Sequence, residues 1–205
     1  MSNRDALRKL SRKFPALPEI EKVLDALTYN SDLSIAVNGS ALIEARLETL
    51  ISGAFNDKSP QLIGQIFLNK GPLSDFHSKI LIAHAMGIIS ASIAEEIHSV
   101  KSIRNAFAHS TSILSFEHEL IERELKAFKT MTAINDALIS LLSKDDAKAQ
   151  KVLSNRNWFL IQIRIILYVL ENVKTIIDST EGPHYADDAI KRVQVEQAQA
   201  SSGKS

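Results

Sequence analysis

The chain has 205 residues, 24 Lys and Arg against 24 Asp and Glu, and no Cys. Zero formal charge argues against a nucleic-acid binder that uses its whole surface, while leaving room for a local basic patch. The lack of Cys excludes disulfide scaffolds, thiolate zinc sites, Cys nucleophiles and iron–sulfur clusters.

Hydrophobic residues make up 45% of the chain, enough to bury a substantial core. Only seven Gly and five Pro interrupt it, and apolar residues recur at helical rather than alternating spacing. We expect an all-α, single-domain helical bundle over residues 15–180. A basic N-terminal helix or arm, residues 1–14, carries Arg4, Arg8, Lys9, Arg12 and Lys13, and Pro15 and Pro18 set it off from the body. A polar C-terminal tail, residues 181–205, is expected to be flexible.

After Pro18, Ile20, Val23, Leu24 and Leu27 predict one amphipathic helix. Ser31 or Asp32 caps a long helix reaching about Phe55, with Ala36, Ile43, Leu47, Leu50 and Ala54 on its apolar side. Ser59-Pro60 reads as N-cap and first residue of a helix through Leu68, which Gly71 ends in the left-handed conformation. Ser74 starts the next helix, with Asp75 in its positive first turn. Ser90 caps another, running through Ile93, Ile97, Val100 and Phe107 to about Ala108. Helical segments follow from Phe116 to about Leu142, as one helix or two. Ser154 caps a last helix from Asn155 to about Asp178. That helix is apolar around most of its girth, which predicts a central position and a share in a subunit interface. Its apolar run from Trp158 to Leu170 is broken by Gln162 and Arg164, and it is shorter than the ~18 residues of a membrane span. No charged-then-apolar leader opens the sequence, so we expect a cytoplasmic protein without membrane contact.

No phosphate loop, dinucleotide fingerprint, His-Glu-x-x-His or Gly-x-Ser-x-Gly occurs. One constellation remains: Arg104, Asn105 and His109. At about 100° per residue, Arg104 falls within the stripe of Ile93, Ile97, Val100 and Phe107. A guanidinium there needs a partner, because it cannot shed its charge. Two readings stand side by side. In the structural one, Arg104 pairs with Glu44 or Glu48 of the first long helix, and Asn105 and His109 serve the helix C-terminus. In the chemical one, His109 swings back if the helix turns after Ala108. It then acts as general acid or base on an RNA 2′-hydroxyl, while Arg104 stabilises the phosphorane charge.

Arg104-Asn105-x-x-x-His109 resembles the Arg-polar-x-x-x-His signature of the HEPN superfamily. That resemblance implies an all-α, dimeric fold and, in many members, metal-independent RNA cleavage. A longer ordered set resembles the mannitol operon repressor family. It comprises Gly71-Pro72-Leu73-Ser74-Asp75-Phe76, Lys79-Ile80-x-x-Ala83, Ala85-Met86-Gly87-Ile88-Ile89, Ile103-Arg104-Asn105-x-Phe107-Ala108-His109 and Leu114-Ser115-Phe116. Upstream, Ala41-Leu42-Ile43-Glu44-Ala45-x-Leu47-Glu48 joins it, so the likeness covers about residues 33 to 120. It implies an all-α homodimer that regulates transcription of carbohydrate uptake. No helix-turn-helix is evident, so regulation through a protein partner is expected. RNA is the partner only under the ribonuclease alternative. No cofactor and no metal is expected.

Lesser candidates are read structurally. His77 and His84 share a helix side among apolar neighbours and are expected in the core or an interface, not as metal ligands. Glu95-Glu96 reads as a solvated face. Gly87 is expected to allow close helix approach, Asp75 to serve a helix start, and Thr111 and Ser112 to lie in a surface loop.

Overall fold

The structure, a computed structural model, describes residues 17–68, 70–128 and 154–177. Among them are seven helices and no strand: α1 (Leu17–Leu27), α2 (Asp32–Gly53), α3 (Pro60–Phe67), α4 (Phe76–Ala85), α5 (Ala91–His109), α6 (Glu119–Lys126) and α7 (Asn155–Ile177). The expected arm, residues 1–14, and tail, residues 181–205, lie outside the described residues. So does 129–153, which holds most of the segment read as one helix or two.

Local chemistry accounts for the helix starts. Ser31 accepts from the Ser34 amide and opens α2. Ser90 does the same for Ile93 at α5, and Ser154 for Asn157 at α7. At α4 the cap is Asp75 rather than Ser74. Its carboxylate accepts from the Ser78 amide at 3.0 Å and the Ser78 hydroxyl at 2.6 Å. A carboxylate outcompetes a hydroxyl for amides at the positive helix end. The same two bonds hold the Asp75 carboxyl below its ordinary value.

The two turn glycines exchange their expected roles. Gly71 does not adopt the left-handed conformation; among the described residues the positive-φ glycine is Gly87, at 72°. Gly87 follows the last turn of α4, with its N–H on His84 C=O and the Ile88 N–H on Ala83 C=O. That pair of bonds is a Schellman cap, which needs the left-handed residue. An added Cβ at Gly87 meets nothing within 4 Å, so close approach is not its purpose. At Gly71 an added Cβ would lie 2.3 Å from both the Gln65 and Ile66 carbonyl oxygens. There the chain folds back over the end of α3, letting Leu73 N–H satisfy the Ile66 carbonyl and burying Leu73.

The hub of the bundle is α2, not the last helix. It packs against α1, α4, α5 and α7. Ile35, Ala36, Ile43, Leu47 and Ile51 are among its buried residues, and Phe159, Ile163, Ile166 and Leu170 are among those of α7. The two helices run parallel, because Arg156 pairs with Asp32 at one end and Arg46 with Glu171 further along. The end of α5 meets the start of α2: the Phe116 ring lies tilted against Phe107 at 4.8 Å and Phe159 at 5.1 Å between centroids, while its N–H donates to Asp32. These contacts fix where the last turns of α5 emerge.

Candidate functional site

Helix α5 buries Ile93, Ala94, Glu96, Ile97, Val100, Ile103 and Phe107. Over its last two turns the buried side drifts towards Ile103 and Phe107, so Arg104 is carried to the edge of the seam. It is half-buried, not central. Its Nη1 donates to Asn105 Oδ1 at 2.9 Å.

Among the described residues, no carboxylate reaches Arg104. Glu44 and Glu48 are held by Lys79 of α4, whose Nζ lies 2.9 Å from Glu44 Oε1 and 3.0 Å from Glu48 Oε2. Lys79 is buried, and burial alone would lower its pKa. The two carboxylates outweigh that and leave it raised. The expected Arg104 ion pair is therefore made by a different cation, for a positional reason. Lys79 follows Phe76 by three residues and precedes Ala83 by four, placing it on the inward side of α4 against α2. That spacing was legible in Lys79-Ile80-x-x-Ala83 and is the signal that points to Lys79.

His109 is the last residue of α5 and is exposed. The helix stays regular to that point, with the Ser110 amide closing on the Ala106 carbonyl. Five residues of regular helix put His109 roughly 140° round the axis from Arg104. The turn after Ala108 that would swing it back does not occur. Beyond it, Ser110 Oγ contacts the Ser112 carbonyl and hydroxyl, so that exposed loop is self-bonded.

Other sequence candidates also settle. Phe107 and Leu73 are core, and Pro72 is exposed beside Gly71. His77 and His84 are surface residues rather than core. His77 lies against His98 of α5 with ring centroids 5.1 Å apart, and His84 Nδ1 is 3.2 Å from the Ile89 carbonyl. Burial first, then His77 and Lys101, depress the His98 pKa. Glu96 is not solvated: it is 4% exposed and accepts from Gln162 Nε2 at 2.6 Å. Among the described residues, no three His, Cys, Asp or Glu side chains are grouped to hold a metal. No described helix is long and apolar enough to cross a membrane.

Chemically, the end of α5 presents an oriented guanidinium, with Lys101 one turn before it and a neutral amide beside it. That arrangement can hold an anion. Compared with known families, the sequence model of the mannitol repressor family fits residues 20–177, from α1 through α7. No curated protein and no solved structure matches the chain.

Proposed function

The chain belongs to the mannitol repressor family, and from that membership we propose that it is a non-enzymatic transcriptional regulator that lowers expression of mannitol-uptake genes. The observation that carries this reading is the extent of the match, which includes every described helix except the first residues of α1. We propose further that it acts through protein–protein contacts, as a cytoplasmic homodimer. Charge supports the protein route. The chain is neutral overall, and Arg46, Arg123, Arg156 and Arg164 are all spent on carboxylates of the same chain. A neutral chain has no net positive charge to draw it to DNA, whose binding uses multiple phosphate contacts. Deleting the gene is expected to raise mannitol-uptake transcripts in cells grown without mannitol. Transcripts that stay flat overturn the proposal. A monomer by light scattering at micromolar concentration removes the dimer.

A second reading, metal-independent RNA cleavage, draws on half-buried Arg104, whose guanidinium has no carboxylate partner among the described residues. It requires His109 to approach from the far side of the helix, for example from a second copy. EDTA-resistant cleavage by pure protein, lost in His109→Ala at unchanged melting temperature, is its test. Intact RNA at micromolar protein leaves the regulator alone.

A further inference from the structure

We propose that the outer face of α5 around Lys101 and Arg104 is a docking surface for an acidic, amphipathic segment of a protein partner. The inference rests on the reading of the chain as a regulator working through protein contacts. Among the described residues five arginines occur, and Arg104 is the one without a carboxylate: Arg46, Arg123, Arg156 and Arg164 each have one within 3.0 Å. A half-buried guanidinium has lost part of its hydration, so leaving it unpaired is costly. Its bond to Asn105 Oδ1 uses Nη1 and fixes the plane of the group, which leaves its other donors oriented for a bidentate carboxylate. Lys101 stands one turn before it, also without a carboxylate partner among the described residues. Ala108, one turn after it, is exposed and too small to block access.

The same surface continues onto α4. The contact of His77 with His98 sets the outer side of α4 beside α5, and Leu81 follows His77 by one turn. Leu81 is 49% exposed. Cations at one end and an exposed apolar side chain at the other match a segment with acidic and apolar residues. The two cations of this face are too few for a phosphate backbone, which calls on several. A two-fold contact through α5 would set Arg104 and Lys101 against their own copies, like charge to like.

The test uses the full chain and a fluorescein-labelled synthetic helix-forming peptide with Glu on one side and Leu on the other, read by anisotropy. A peptide with Lys in place of Glu, a single-stranded RNA and a duplex DNA are run alongside. The acidic peptide is expected to bind, and Arg104→Glu or Lys101→Glu to weaken it roughly tenfold or more, with melting temperatures kept. Arg104→Gln gives the same sign should a reversal fail to fold. The proposal is overturned if the peptide does not bind, if the variants bind it like wild type, or if RNA or DNA binds more tightly and displaces it. It is equally overturned if Arg104→Glu changes the mass seen by light scattering, which makes the occupant a second copy. Flat transcripts on deletion would sink the regulator reading while leaving peptide binding and its loss in Arg104→Glu intact. The two failures are thus separable.

Discussion

Lys79 Nζ lies 2.9 Å from Glu44 Oε1, across the contact of α4 with α2. Glu48 completes the site at 3.0 Å. The ammonium is nearly inaccessible and the carboxylates retain partial access to water, so removing the cation leaves two acids facing each other in a half-dry seam. Lys79→Ala is expected to cost roughly 2–4 kcal/mol in denaturant unfolding, below the full range for a wholly buried pair because the carboxylates stay partly hydrated. Because the folded pKa of Lys79 is raised, its contribution is complete below its ordinary value of 10.5 and fades as pH climbs through the raised value. The variant's stability curve should therefore converge on that of wild type only in strong alkali.

Gly71 and Gly87 predict an ordering. Alanine at Gly71 drives a Cβ into two carbonyl oxygens at 2.3 Å, and backbone cannot step aside as a side chain can. A loss of about 3 kcal/mol or more is expected, at the upper end for overpacking. Alanine at Gly87 meets open space and suffers only the left-handed penalty, about 1–2 kcal/mol. Gly87→Asn should lose less than Gly87→Ala, since Asn tolerates that conformation. Thermal melts that rank Gly87→Ala below Gly71→Ala would contradict the assignment.

What the sequence showed and what it hid divide along physical lines. Caps at Ser31, Ser90 and Ser154 are local, and their partners lie three residues away, so composition and spacing reveal them. The drift of α5 that carries Arg104 out of the seam, and the arrival of Lys79 between Glu44 and Glu48, depend on how helices distant in sequence lie together. Helical spacing places Arg104 and Ile93 on one stripe, but it does not say where along the helix the neighbours stop. Gly71 and Gly87 follow the same division. Both sit just past a helix, and only the carbonyls of Gln65 and Ile66 tell them apart. Glu96 had an adjacent acid and looked solvated, and its burial depends on Gln162, 66 positions away.

Glu96 and Gln162 should behave as a coupled pair. Both are buried, and the amide donates to the carboxylate at 2.6 Å. Gln162→Leu withdraws a donor from a buried acid and is expected to cost roughly 1.5–3 kcal/mol. Adding Glu96→Leu should cost less than the two single changes summed, since the double variant also removes the carboxylate to which Gln162 donates. Strict additivity in a double-mutant cycle would show that the two do not sense each other.

His98 predicts a mild acid sensitivity. Burial, His77 and Lys101 all disfavour its charged form, so its folded pKa lies below the ordinary 6.5. In the unfolded chain it takes up a proton first. Its contribution to stability is therefore present above about pH 6.5 and is lost as pH falls through the depressed value. Melting temperatures of His98→Gln should decline less than those of wild type between pH 7.5 and 5.5. An equal decline would mean that other groups govern that window.

Arg104→Ala is expected to leave stability nearly unchanged, within about 1 kcal/mol. Its partner is a neutral amide on the adjacent residue, and among the described residues no acid is orphaned by its loss. Arg156 makes the contrast. It pairs with Asp32 at 2.8 Å, donates to the Thr28 carbonyl at 3.0 Å and also reaches the Asn30 carbonyl. One side chain thus ties the start of α7 to the turn between α1 and α2. Arg156→Ala should cost roughly 2–3 kcal/mol, from the lost charge-assisted bonds and the unpaired Asp32. If Arg104→Ala proved as damaging as Arg156→Ala, its guanidinium would be holding the fold together, and its availability to an acidic partner would fall with that result.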